Sequence, residues 1–246
     1  MKVAVINFSG NVGKTTVARH LLLPRIPGAE LISVESLNAD EGEGQAMRGR
    51  QFGELQEYLQ TIDNAVVDIG ASNVEELLGL MRRYRGSHED FDAFVIPTVP
   101  ALKQQQDTIA TLVDLSQLGV TESRLKLVFN MVEDDSDVPQ SFYTLLTFLD
   151  RHPISLPNPK CRLGLNEIYP RVKGNGADLA TLALDDTDYK TLIVKAQDNA
   201  EKFALAQKLA TRRLASGVMP ELEACFQALG LVGDVECVEP TSRQSA

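Results

Sequence analysis

The 246-residue sequence is poor in several features that would have fixed its class at once. Its three cysteines, Cys161, Cys225 and Cys237, are odd in number and form no CxxC pair. That argues against a disulfide framework or a zinc site and leaves reduced thiols in a cytosolic setting as the expectation. The longest apolar runs, such as "VAVI" and "AFVI", fall far short of the roughly 18–20 residues that span a bilayer, so no stable membrane insertion is expected. The apolar core after Lys2 is also too short for a secretory leader, which needs about 7–15 residues. A mature cytoplasmic N-terminus is therefore expected. Positive charge is scarce: 24 Lys and Arg stand against 34 Asp and Glu, a formal net charge of −10. A surface that binds nucleic acid all over is thereby excluded, although a local basic patch is not. The expected partner is another protein, or a polyanion met at one restricted site. Repeats and low-complexity tracts are absent.

What is present is a regular alternation. "KVAVINF" reads as a buried strand, followed by a glycine-bearing loop and a helix from about Thr15 to Leu23, stopped by Pro24. "ELISVE", "NAVVDIG", "FDAFVIPTV" and "RLKLVFNM" read as further strands. "FGELQEYLQTI", "NVEELLGLMRRY" and "LKQQQDTIATLVDLSQLG" lie between them as helices. Near-continuous Val, Ile and Phe runs predict an α/β fold, a doubly wound and mainly parallel sheet with helices on both faces. Beyond it, "LLTFLDRH" reads as helix, residues 153–170 are proline-interrupted, residues 188–218 are mostly helix, and "MPELEACFQALG" reads as a separate final helix. No linker cuts the chain. The expectation is one domain over 1–246, with a core of about 1–170, a mostly helical part of about 171–237 and a frayed tail of 238–246.

The first strand runs into "SGNVGKTT", residues 9–16. Gly10 and Gly13 allow backbone turns that bring N–H groups close to phosphate oxygens. The following helix turns its own unpaired N–H groups and partial positive charge on the same anion. Ser9, Gly10, Asn11, Val12, Gly13, Lys14, Thr15 and Thr16 are thus the candidate nucleotide-binding residues. Lys14 is expected to bridge β- and γ-phosphates, and Thr15 to complete a Mg²⁺ shell. The strict pattern GxxxxGK[ST] asks for glycine where Phe8 stands, and the dinucleotide pattern G-x-G-x-x-G finds only its last two glycines, so that reading is rejected. A metal-site acid is expected at the end of a neighbouring buried strand, and "NAVVDIGAS" offers Asp68. Asn73, better placed, is expected to cap the next helix.

These residues resemble the ParA/MinD-type deviant Walker ATPases, and among them most closely the plasmid-stability StbB-type proteins. The likeness covers about the first 170 residues. In that family the loop reads KGGxGK[ST]; Gly10, Gly13, Lys14 and Thr15 match, while Ser9 stands in place of the signature lysine and Asn11 in place of a glycine. The resemblance implies ATP and Mg²⁺ as cofactors, Thr15 and Asp68 as metal residues, and Lys14, Glu35 and Asp68 as catalytic residues. On this alignment Glu35 takes the place of the acid that orients the attacking water, or it is a solvated strand-end glutamate; Asn38 and Asp40 are further candidates. Asn130 falls where the family has its base-recognition asparagine, or it is a strand-end turn. It is followed by Met131, Val132 and Glu133 and not by the lysine–x–aspartate of guanine-specific relatives, so ATP is expected over GTP.

The function implied is an ATP-binding, slowly hydrolysing switch in plasmid or DNA stability, partition or positioning. It would act with a DNA-binding adaptor protein and through a nucleotide-dependent homodimer. Two alternatives stay open: a nucleotide-bound adaptor with little or no hydrolysis, and a small-molecule kinase or ligase with the same loop. Weak, salt-dependent non-specific DNA contact is considered at Lys195, Lys202, Lys208, Arg212 and Arg213, with "MRRYRG" as a second cluster; five such residues also fit an ordinary solvated face. Arg48 and Arg50 follow the acidic loop, where phosphate state could be relayed to a partner.

Overall fold

A strand with no polar face must be covered on both sides, and the apolar runs here build such a sheet. A computed structural model of the chain describes residues 1–34, 49–133, 137–173 and 178–231. Six strands form one sheet: β1 (Lys2–Val5), β2 (Glu30–Ser33), β3 (Ala65–Asp68), β4 (Ala93–Thr98), β5 (Leu125–Val132) and β6 (Arg162–Gly164). Their order is β2-β3-β1-β4-β5-β6, and every neighbouring pair is parallel. Helix α1 (Lys14–Thr16) continues in wide π-type turns over Val17–Leu22 and closes in a tight turn, Leu23–Arg25, that contains Pro24. It is followed by α2 (Gly49–Thr61), α3 (Val74–Arg83), α4 (Leu102–Gln117), α5 (Val138–Ser141) and α6 (Tyr143–Arg151). After β6 come α7 (Ile168–Val172), α8 (Leu179–Leu184), α9 (Tyr189–Lys195) and α10 (Asn199–Leu229).

Strand residues alternate between two cores, as the period of two requires. On one face Ala4, Ile6, Val67, Phe94, Ile96, Leu127 and Phe129 pack with Phe52 of α2, Leu77 of α3 and Leu112 of α4. On the other, Val3, Val5, Val66, Val95, Val128 and Leu163 pack with Val17, Leu21 and Leu22, and with Val218, Leu222 and Leu229 of α10. The doubly wound expectation is met. Arg25 ties the end of the first helical stretch to α10, with Nε 3.0 Å from the Glu223 carboxylate and Nη1 donating to the carbonyls of His20 and Leu21.

The strand order fixes where a ligand belongs. From β1 the chain leaves toward β2 on one side, and from the adjacent β4 it leaves toward β5 on the other. Diverging connections open a crevice between these two strands at their carboxyl ends, the usual ligand position in such sheets.

The C-terminal third departs in part from its sequence reading. Residues 188–218 are mostly helix as expected, in two pieces: α9 ends at Lys195, and Asp198 starts α10 by accepting from the Glu201 amide. The final helix is not separate: α10 runs from Asn199 to Leu229 with Pro220 inside it and ends at Gly230, whose φ of 57° is left-handed. Pro220 is exposed, while Val218 and Leu222 on either side of it are buried on the sheet. Packing therefore holds the helix through the hydrogen bond that proline removes. Strand β6 and the short helices α5, α7 and α8 are too brief to show a period, and the prolines around them hid the strand. Cys161 and Cys225 are free and buried, Cys237 lies outside the described residues, and burial pushes the Cys161 thiol up to about 11. Among the described residues no helix is long and apolar enough to cross a membrane.

Candidate functional site

The loop after β1 is built around Asn7, which is fully buried. Its Oδ1 accepts from the Ser9 amide at 2.8 Å, and its Nδ2 donates to the Pro97 carbonyl at 2.9 Å and to Thr108 Oγ1 at 2.8 Å. Thr108 reaches Thr98 at 3.0 Å, and the Phe8 amide donates to Thr111 Oγ1 at 3.1 Å. The base of the loop is thus pinned to the end of β4 and to α4. On the same helix the Lys103 ammonium meets the Asp107 carboxylate at 2.7 Å. Lys103 foremost, and Ser9 with it, hold the Asp107 carboxyl below its ordinary range, against a desolvation that pushes the other way.

Lys14, at the head of α1, is buried and folds its ammonium back over the loop, donating to the carbonyls of Asn7 (3.2 Å) and Ser9 (2.6 Å). Its neighbour Thr15 points its hydroxyl across to β3, 2.7 Å from Asp68 Oδ2. Asp68 is the last residue of β3 and lies beside Val5 in the sheet, so the sheet register itself delivers the carboxylate to the loop. Gly13 has φ 88°, and a Cβ there would collide with the Asn130 amide. Glycine is required at this position by both conformation and space.

Asn130 is buried, and its Nδ2 donates to the Val12 carbonyl at 2.8 Å. The pairing of β5 with β6 is irregular between Phe129 and Val132, and Met131 has φ 56°. Such a bulge re-aims side chains. Among the described residues Asn11 (φ 58°) and Met131 are the non-glycine residues with left-handed backbone, and both lie at this site. Backbone outliers gather where function requires them.

The sequence candidates divide cleanly. Ser9, Gly10, Asn11, Val12, Gly13, Lys14, Thr15, Thr16, Asp68 and Asn130 are brought together. Glu35, Asn38, Asp40 and Arg48 lie outside the described residues, as does the side chain of Arg50. Asn73 stands at the N-terminal cap of α3 but makes no capping side-chain bond. Arg212 is engaged within the fold. Its guanidinium donates to the carbonyls of Asp185 and Thr187 and lies over the Tyr189 ring, so it is withdrawn from any DNA-facing stripe. Sequence reading missed Asn7, Thr98, Asp107, Thr108 and Thr111. The signal was there: Asp107, Thr108 and Thr111 form a polar stripe on the face of α4 that should be apolar.

A site for magnesium can be tested on the donors alone. The Thr15 hydroxyl and the Asp68 carboxylate are hard oxygen donors side by side. Mg²⁺ typically takes one or two protein oxygens and completes its shell with phosphate and water, so these residues fit it. Among the described residues no cluster of three or more His, Cys, Asp or Glu forms an all-protein metal cage.

A glycine loop after the first strand, a lysine folded over it, a hydroxyl at the helix start and an acid on the neighbouring strand together make the phosphate-binding arrangement of P-loop nucleotide-binding folds. No protein-family model and no curated protein matches the chain. Among solved structures it is similar to apo McdA from Cyanothece, at 15% identity and a TM-score of 0.48, covering 85% of this chain and 98% of the other. A plasmid partition protein of Borrelia burgdorferi bound to AMPPNP is 14% identical, with a TM-score of 0.44 and coverage of 86% and 98%. The pNOB8 ParA is 13% identical, with a TM-score of 0.47 and coverage of 90% and 98%. The geometry of the site, and not these distant likenesses, carries the functional reading.

Proposed function

We propose that the chain binds ATP with Mg²⁺ and hydrolyses it slowly as a ParA-type switch. One observation carries the nucleotide reading: the Lys14 ammonium is held on the loop carbonyls while the Thr15 hydroxyl meets Asp68, so cation and metal donors converge on one crevice. Lys14 binds and orients the phosphates. Thr15 and Asp68 would hold Mg²⁺, which when bound supplies charge neutralisation on the phosphate oxygens. Asn7 fixes the loop and Asn130 fixes Val12; on the sequence resemblance Asn130 is proposed to recognise the base. Glu35 is proposed to position the attacking water.

The role in plasmid or DNA partition or positioning, the adaptor partner, the nucleotide-dependent homodimer and the cytoplasmic location rest on the sequence resemblance. The second reading, a nucleotide-bound adaptor with little turnover, is favoured by the buried state of Ser9. This residue stands in place of the signature lysine and brings no cation. Phosphate release with Mg²⁺, measured for the native chain and Lys14→Ala, tests the ATPase. Slow release that the variant lacks supports it, and equal rates contradict it. ATP-dependent doubling of mass in sedimentation tests the homodimer.

A further inference from the structure

We propose that Lys103 is a second phosphate-binding cation of this site, carried on α4 and parked on Asp107 within reach of the terminal phosphate. The inference deepens the nucleotide reading above and rests on it.

The argument begins with the sheet. Val5 of β1 is in register with Val95 of β4, and the Ile6 amide continues the pairing at 3.0 Å from the Val95 carbonyl. The loop after β1 and the start of α4 after β4 therefore emerge side by side on the two lips of the crevice. Two side chains of α4 then lock onto the loop in sequence: Thr111 on the Phe8 amide and Thr108 on the Asn7 side chain. From Thr111 to Thr108 the contacts climb the helix toward its N-terminus and the mouth of the crevice, and Asp107 follows. Lys103 is one further turn, roughly 6 Å, along the same line.

Its ammonium reaches back to Asp107 at 2.7 Å, while its side chain is 75% exposed, so little packs it there. A lysine has a flexible four-carbon stem and three donors, so it can keep one bond to Asp107 and turn another toward an incoming oxyanion. A triphosphate brings several negative charges against the single charge of Asp107, and attraction scales with charge. On the loop, the Ser9 carbonyl already holds Lys14. The two cations thus approach the phosphates from opposite lips, Lys14 from α1 and Lys103 from α4.

The test is the ratio of ATP to ADP affinity by calorimetry with Mg²⁺, for the native chain, Lys103→Met, Asp107→Asn and the double variant. Lys103→Met should lower the ratio by roughly ten- to hundredfold, the loss of a charged hydrogen bond, with ADP affinity retained as the sign of an intact fold. Asp107→Asn alone should raise the ratio about two- to fivefold, because it releases an exposed ion pair and removes a negative charge. The decisive arm is the double variant, in which Lys103→Met must still cost as much. If the ratio is unchanged in Lys103→Met, or if its loss disappears in the Asp107→Asn background, Lys103 merely neutralises Asp107 and the proposal is overturned. A native chain that takes neither nucleotide overturns the nucleotide reading itself, and this inference with it.

Discussion

At the scale of residues, the Lys14 ammonium donates to the carbonyls of Asn7 and Ser9, and on the proposed reading it also binds the phosphates. Lys14→Ala should therefore abolish phosphate release. It should also cost about 1–3 kcal/mol of stability, because buried acceptors lose their partner; chemical denaturation would read this loss. Gly13 gives a sharper test. Gly13→Ala meets two penalties, a left-handed backbone and a collision with Asn130, and Asn130→Ala relieves only the second. A double-mutant cycle followed by denaturation should show Gly13→Ala costing less in the Asn130→Ala background; equal costs would mean that the close approach is unimportant. The loop residues were legible from the order of Gly, Lys and Thr after an apolar strand. Asn7 was not, because a buried polar side chain whose partner lies about a hundred residues away leaves no local period; Thr108 left only the polar stripe on α4.

Among the elements, α10 is held by packing against its own propensity. Pro220 is exposed in the helix interior, so Pro220→Ala should restore a hydrogen bond without disturbing the core and raise stability by about 1–3 kcal/mol. A lower midpoint in urea would instead show that the proline shapes the helix against the sheet. The junction of α8 and α9 depends on acid-sensitive bonds. The Asp185 carboxylate accepts from the Thr187 side chain first, and from the Tyr189 hydroxyl and Thr187 amide, which lowers its pKa to about 2. A depressed carboxyl contributes stability that is complete above its unfolded value near 4 and is lost as pH falls through about 2. Amide exchange around residues 185–189 should rise over that window in the native chain, and Asp185→Asn should remove the step. Sequence reading ran helix and turn together here because the side-chain caps of Asp188 and Asp198 interrupt a pattern that composition alone continues.

For the molecule as a whole, the parallel sheet was legible because doubly covered strands must be largely apolar, and β1, β3, β4 and β5 carry near-continuous apolar runs. β2 was legible more weakly, as a half-buried edge strand. β6 was hidden, being three residues inside a proline-rich stretch. The crevice followed from strand order, which a sequence states only once its strands are placed. What unites the fold and the site is the junction of β1 and β4, where the loop, Asn7 and α4 meet. A bound ligand there should stabilise the entire fold. At a free concentration one hundred times its dissociation constant, the gain is about 2.7 kcal/mol. The central claim is tested most directly by titrating ATP with Mg²⁺ into the native chain and into Lys14→Ala in a calorimeter. Saturable heat corresponding to one nucleotide per chain, lost in the variant, is the predicted result; no heat from the native chain with either ATP or GTP would contradict the account.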